Sequence, residues 1–242
     1  MTTFAHKPFA LVTGGARRIG RTICLKLSRM GYGIAIHYQN SRQAAEDLKE
    51  EIRQEGGEAG TFSCNLLDQA QIRQLIPMVT EHYPGLCLLV NNASVFRKDT
   101  LAEADLTHYE DHHRIHGLAP FLLSQDFARH CREGQIINLL DTHVNDNETN
   151  HFTYLLSKKN LLALTEMSAV ALAPAIRVNG IAPGLILPPE EESDGYLQRL
   201  AKDIPLQRKG RLENIEQTVG FLLENDYLTG QVIFNDGGEH LL

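Results

Sequence analysis

The feature that most constrains this chain is a regular alternation of two kinds of segment. Short β-rich runs, FALVTGG, YGIAIHY, AGTFSCN, LCLLVNNAS, GQIINLLD, IRVNGIAPG and QVIFNDGG, are separated by helical stretches such as RTICLKLSRMG, RQAAEDLKEEIRQEGG and DQAQIRQLIPMVTEHY. Strand followed by helix, repeated, requires parallel strands joined by crossover helices that cover both faces of the sheet. The expected fold is therefore α/β: a single-domain, Rossmann-like doubly wound parallel sheet over residues 1–242, with helices on both faces. A long helix is expected from about Leu106 to Cys131, and another around Tyr154. The most polar segment, PPEEESDGYLQRLAKDIPLQRKG, follows the sixth strand and reads as a mobile helical flap at about 187–210. Ligands of such folds bind where strands end, so the flap is expected to cover a substrate.

Composition removes several function classes. A chain of 242 residues, 43% hydrophobic and 22% charged, suits one large core rather than two small ones. A net charge of -7 argues against nucleic acid or a membrane surface as the main partner. The longest apolar runs are broken by Pro or Gly well short of the roughly 20 residues that span a bilayer. The start, MTTFAHKPFALVTGG, has no extended apolar core and does not read as a secretory signal, so the expected location is cytoplasmic. Cys24, Cys64, Cys87 and Cys131 lie far apart without a CxxC pair, a pattern of buried thiols in a reducing compartment.

The first strand runs into TGGARRIGRTICLKL, a glycine turn that opens a helix. Gly14 and Gly20 let the backbone turn tightly and approach a phosphate, whose charge the free amides of the helix N-terminus favour. The end of the second strand then discriminates between dinucleotides. An Asp or Glu there would hold a ribose 2'-hydroxyl, but the chain reads HYQNSR from His37 to Arg42, with no acid before Glu46. Arg17 and Arg18, with Tyr38, Gln39, Asn40 and Ser41, offer partners for a 2'-phosphate, which points to NADPH. The plainer reading of the two arginines is a solvated patch on a surface turn.

Tyr154 and Lys158 stand four residues apart and, on a helix, share one face. An ammonium beside a phenol, whose reference pKa is about 10, favours the phenolate and brings its proton within reach of catalysis. Taken alone, this spacing is that of any amphipathic helix.

Taken together, TGGARRIG, the NNAS at 91–94, Tyr154 with Lys158, and the APG at 182–184 resemble the short-chain dehydrogenase/reductase family, in order and along essentially the whole chain. The resemblance implies that Asn92, Ala93 and Ser94 flank the nicotinamide half of the cofactor, and that Pro183, Gly184, Leu185 and Ile186 close over it. Ile19 and Leu66 are assigned to the same cofactor surface. Asn65 stands where an aspartate usually contacts adenine; its carbonyl can still accept a hydrogen bond. The family is usually tetrameric, which implies a homotetramer packed through the helices from Leu106 and from His151.

The departures are more informative. Asp141 replaces the family's catalytic serine, and Arg18, Phe96 in NNASVF and the HYxxS run at His37–Ser41 resemble the pteridine reductase branch. In that branch the aspartate works with the tyrosine in proton delivery, the phenylalanine stacks on the pterin, and the arginine lies near cofactor phosphate and pterin. The implied substrate-binding set is Arg18, Ser94, Phe96, Asp141 and Tyr154, with Asp141, Tyr154 and Lys158 catalytic. RVNGIAPGLIL, IHGLAPFLLSQ and GGEHLL are most similar to the bacterial enzymes of this branch that reduce dihydromonapterin, and His116 fits them where most of the family has asparagine.

The chemistry agrees with the branch. A pterin is a flat, nitrogen-rich ring suited to an aromatic wall, and one ring nitrogen is protonated as hydride reaches the neighbouring carbon. A carbonyl substrate would instead build negative charge beside Asp141. The expected function is NADPH-dependent reduction of a dihydropterin such as dihydromonapterin, dihydrobiopterin or a dihydrofolate. The alternatives are a carbonyl reductase of ketoacyl or sugar-like ketones and a non-catalytic NADP-binding sensor. Asp141 also has a structural reading, as a turn or cap residue in DTHVNDNET.

His108, His112 and His116 recur every four residues on one helix. Without an HExxH or a partner cysteine, the stripe reads as surface or interface rather than a metal site. Protonation at about pH 6 to 7 would then be available to tune assembly.

Overall fold

The computed structural model describes residues 7–188 and 194–242. Residues 1–6 of the N-terminal stretch, and 189–193 of the flap, lie outside the described residues. Seven strands form one parallel sheet: β1 (Phe9–Val12), β2 (Gly33–Tyr38), β3 (Ala59–Ser63), β4 (Leu86–Asn91), β5 (Gly134–Leu139), β6 (Ile176–Pro183) and β7 (Val232–Asn235), in the order β3-β2-β1-β4-β5-β6-β7. The direction of winding reverses beside β1, so the carboxyl ends of β1 and β4 flank a switch-point crevice.

Alternate residues of β1 face opposite cores. Ala10 and Val12 pack with α1 (Arg18–Arg29), α2 (Arg42–Gln54) and, near the other end of the chain, α8 (Leu212–Glu224), while Leu11 packs with α3 (Gln69–His82) and α5 (Ala119–His130). All four cysteines are buried and free, as their spacing led us to expect. Among the described residues no helix is long and apolar enough to cross a membrane.

Two helical features differ from the sequence reading. The helix expected from Leu106 to Cys131 consists of α4 (Leu106–His113), a π-helical stretch at Arg114–Leu118, and α5. The wide turn places Ile115, His116 and Gly117 in the interior at the point where α4 gives way to α5. The second is α8, which the strand–helix alternation did not single out; Ile215, Val219 and Leu222 lay it against the sheet. The remaining helices are α6 (Phe152–Ala171), which carries Tyr154, and α7 (Asp194–Leu200) in the flap region.

Register aligns the strand ends that matter. Val12 pairs with Ile36 and Val90, and Asn91 pairs with Asn138, so the glycine turn, the NNAS segment and the approach to Asp141 emerge on one edge. A buried polar seam ties β4 and β5 to α6: Asn91 Nδ2 donates to Asn138 Oδ1 at 2.8 Å, and Asn138 Nδ2 donates to Thr165 Oγ1 at 2.8 Å. Asn138→Ala strands the Asn91 amide and opens a void. The expected cost is about 3 kcal/mol, read as a lower urea midpoint; an unchanged midpoint would contradict this account of the seam.

Candidate active site

The glycine turn is built for close approach. Gly14 has φ +60, and a Cβ on Gly20 would lie 2.2 Å from the Gly14 carbonyl oxygen and 2.6 Å from Asn92 Nδ2. Arg18 has a left-handed φ of 52, an uncommon conformation for a side-chain-bearing residue. Arg17 and Arg18 are exposed, and Arg18 Nη2 donates to the Pro188 carbonyl at 2.5 Å. The residue that holds the turn is His37, to which the sequence reading assigned no role. Its Nδ1 accepts from Gly14 N at 2.9 Å, so its Nε2 carries the proton and donates to the Cys64 carbonyl at 3.0 Å. Burial pushes His37 down to about 4, which keeps it neutral for this task. The signal available in sequence was a histidine ending an otherwise apolar strand.

Tyr38 is half-buried, whereas Gln39 and Asn40 are exposed beside the turn, with Ser41 at the N-cap of α2. Gln39 Nε2 donates to Asn65 Oδ1 at 2.9 Å, and Leu67 N donates to the same oxygen at 3.0 Å. The Asn65 carbonyl, read from sequence as still able to accept, is thus committed to two donors; Leu66 is buried behind it. Among the described residues no acidic side chain stands at the end of β2.

Thr13 locks the NNAS segment to β1. Its hydroxyl accepts from Asn92 N at 2.9 Å and Ala93 N at 3.0 Å, while Asn92 Nδ2 donates to the Thr13 carbonyl at 2.8 Å. Ser94 is exposed, with its Oγ 2.9 Å from His116 Nε2. Across the site, Pro183 ends β6, Gly184 N donates to the Asn235 carbonyl, Leu185 accepts from Gly210 N, and Ile186 is buried. Gly184 is pressed against the C-terminal turn, where an added Cβ would meet Asp236 Cβ at 2.7 Å.

Asp141 reconciles the two readings of it. One carboxylate oxygen caps a 3-10 turn by accepting from His143 N at 2.9 Å, and the other accepts from the Tyr154 hydroxyl at 2.9 Å. The phenol is 8% exposed. Burial first, and then the charge and hydrogen bond of Asp141, raise its pKa well above the ordinary phenol value. This reverses the direction expected from Lys158. The Lys158 ammonium lies over the Tyr154 ring, 5.7 Å from its centroid, and spends a hydrogen bond on the Leu139 carbonyl at 2.7 Å. Burial lowers Lys158 to about 8. The hydroxyl therefore answers to the carboxylate it touches rather than to the cation over the ring.

Phe96 meets Tyr154 edge-on at 4.8 Å and stacks on His151 at 4.5 Å, leaving the ring 50% exposed. The histidine stripe divides. His108 remains partly exposed beside Asp105, but His112 and His116 are buried, stacked 5.9 Å apart, each edge-on to the Tyr154 ring. Burial pushes His112 down to about 4 and His116 well below its ordinary value. These two rings are neutral packing behind the tyrosine, not surface groups titrating near pH 6 to 7. Among the described residues no group of three His, Cys, Asp or Glu is placed to hold a metal.

Comparison with known proteins gives two directions. A family model described as enoyl-(acyl carrier protein) reductase matches residues 14–240. The chain is 32% identical to the 3-oxoacyl-[acyl-carrier-protein] reductase FabG of Staphylococcus aureus, over 96% of this chain and 98% of that protein. Among solved structures it is similar to the FolM alternative dihydrofolate reductase 1 of Brucella suis in complex with NADP, with TM-score 0.93 and 36% identity, over 97% of this chain and 96% of that one. Acetoin dehydrogenase YohF of Salmonella typhimurium is similar at TM-score 0.88 and 28% identity, over 97% and 98% of the two chains.

Burial is the main cause of the raised Tyr154 pKa, but the Asp141 charge and its hydrogen bond add to it, so Asp141→Asn should lower the phenol's titration midpoint, with burial still holding it above an exposed tyrosine. Near-ultraviolet difference titration, with Tyr154→Phe as reference, reads the shift. An unmoved midpoint would contradict the assignment.

Proposed function

Because the chain belongs to the short-chain dehydrogenase/reductase family, we propose that this oxidoreductase reduces a dihydropterin to its tetrahydro form. Its cofactor is NADPH. The residues present fit that molecule: the side-chain-free surface at Gly14 and Gly20 admits a phosphate, and Arg17 and Arg18 stand exposed beside an acid-free end of β2. Tyr38, Gln39, Asn40 and Ser41 would complete the pocket of the 2'-phosphate, and Asn92, Ala93 and Ser94 would line the nicotinamide side. Bound there, NADPH supplies a hydride.

The observation that carries the substrate class is the hydrogen bond from the Tyr154 hydroxyl to Asp141. Hydride addition to the carbon of a C=N bond leaves electron density on nitrogen, which must take one proton. Tyr154 holds that proton at neutral pH, and Asp141 keeps the phenol oriented and can return a proton to it from solvent. An imine nitrogen is basic enough to take its proton as hydride arrives and so carries little negative charge beside the carboxylate, whereas a ketone oxygen is not and would develop an alkoxide there, which is electrostatically unfavourable. Lys158 contributes a buried positive charge beneath the ring, and half-exposed Phe96 offers an aromatic wall to a flat substrate. Similarity to FolM supports this reading, and dihydromonapterin, dihydrobiopterin and dihydrofolate-like compounds are its candidate substrates.

The second reading, a ketoacyl reductase, has the support of the FabG similarity. Asp141 and Phe96 speak against it. We place the protein in the cytoplasm. We also propose a homotetramer, since apolar Leu106 on α4 and Met167 and Val170 on α6 are strongly exposed on the helices that would pack together.

The test follows NADPH oxidation with dihydromonapterin, dihydrobiopterin, dihydrofolate and a ketoacyl thioester offered separately. The expected outcome is turnover of at least one dihydropterin with kcat/KM at least about a hundredfold above the thioester, the size of effect that one electrostatic contact has on a developing oxyanion. Turnover of the thioester alone would overturn the proposal.

A further inference from the structure

Two histidines one turn apart face two hydroxyls one turn apart. His112 Nδ1 lies 2.8 Å from Thr153 Oγ1, and His116 Nδ1 lies 2.8 Å from Ser157 Oγ. Each hydroxyl has a single proton, and in both cases it is already committed. Ser157 Oγ is 2.5 Å from the Tyr154 carbonyl oxygen, a separation at which two oxygens need a proton between them, and a carbonyl brings none. Thr153 likewise gives its proton to the Asp99 carboxylate. Both histidines must therefore donate from Nδ1, and each neutral ring is left with a bare Nε2. Among the described residues that of His112 is buried without a partner, as expected of a bare acceptor. That of His116 lies 2.9 Å from Ser94 Oγ, nearer than the other acceptor in reach of that hydroxyl, the Val95 carbonyl at 3.4 Å.

We propose that His116 is a positioning residue that fixes the polarity of Ser94: the Ser94 hydroxyl gives its proton to His116 and presents only lone pairs to the cleft, so the site takes a substrate with an N–H donor at that point. A dihydropterin carries such donors in the plane of its ring, whereas a simple ketone carries none. The chain of commitments runs backwards from the cleft: Ser94 is set by His116, His116 by Ser157, and Ser157 by a main-chain carbonyl of α6 that cannot change role. The substrate half of this inference rests on the pteridine reductase reading; the direction of the Ser94 hydroxyl does not.

Ser157 never touches the cleft, so it offers a clean lever. In Ser157→Ala, His116 Nδ1 loses its acceptor and the ring is free to carry its proton on Nε2, which turns the Ser94 proton towards the substrate. Nitrogen NMR of histidine-labelled protein should find His116 protonated at Nδ1 in the wild type and at Nε2 in Ser157→Ala, with His112 unchanged as an internal reference. KM for the dihydropterin should rise about tenfold, the effect of one lost hydrogen bond, with a smaller change in kcat, and Ser157→Thr should restore both readouts. Ser94→Ala should raise KM similarly, and the double variant Ser94→Ala/Ser157→Ala no further, because both remove the same contact. Wild-type His116 protonated at Nε2, or a tautomer change in Ser157→Ala without a change in KM, would overturn the proposal. If no dihydropterin is turned over, the proposed function and the substrate half of the inference fail together, while the histidine spectrum still decides the polarity of Ser94.

Discussion

The hydrogen bond between the Tyr154 phenol and the Asp141 carboxylate sets the character of everything around it. It holds a proton on a group that the neighbouring lysine would otherwise help to ionise, and it does so in a place lined by His112, His116 and Phe96. A phenol that keeps its proton beside a fixed negative charge is a poor companion for a developing alkoxide and a good one for a nitrogen that needs protonation. The same carboxylate caps the turn after β5, so its position is not adjustable: one oxygen serves the backbone and the other the chemistry.

The interior around this pair contains few free choices. His37 is neutral with its proton on Nε2 because Gly14 N occupies Nδ1, and His116 is neutral with its proton on Nδ1 because Ser157 has nothing to give. Burial keeps both rings uncharged, so each acts as a fixed donor–acceptor rod rather than as a titrating group. One such rod braces the turn proposed to hold the cofactor phosphate, and the other reaches Ser94 beside the proposed substrate. The sheet makes this possible by bringing the ends of β1, β4 and β5 to one edge, where a single row of side chains can connect them.

Much of the fold was legible in the sequence because alternation between strand and helix is a local property, readable from residue type and spacing. The π-helical stretch at Arg114–Leu118 was not, since the partners of the His116 it carries, Ser157 on α6 and Ser94 in the NNAS segment, lie far from it along the chain. Nor was α8, whose apolar face shows its purpose only once the sheet is assembled. At the site, Tyr154, Lys158 and Asp141 stood out by residue type and order. The burial of His112 and His116 did not, because Thr153 and Ser157, the hydroxyls that receive them, lie 41 residues further along the chain and resemble ordinary polar residues of a helix. The direction of the Tyr154 shift was not legible for a related reason: spacing shows that a lysine is near, but not that its ammonium lies over the ring while a carboxylate holds the hydroxyl.

Asp141→Ser tests the central claim most directly, since it restores the hydroxyl that the family resemblance leads one to expect and removes only the carboxylate. With the wild type and the variant compared on one dihydropterin, and NADPH binding followed in parallel, the account predicts at least about a hundredfold loss of kcat with cofactor affinity retained. A variant that reduces the dihydropterin at the full wild-type rate would show that Asp141 serves the turn alone and would contradict the account.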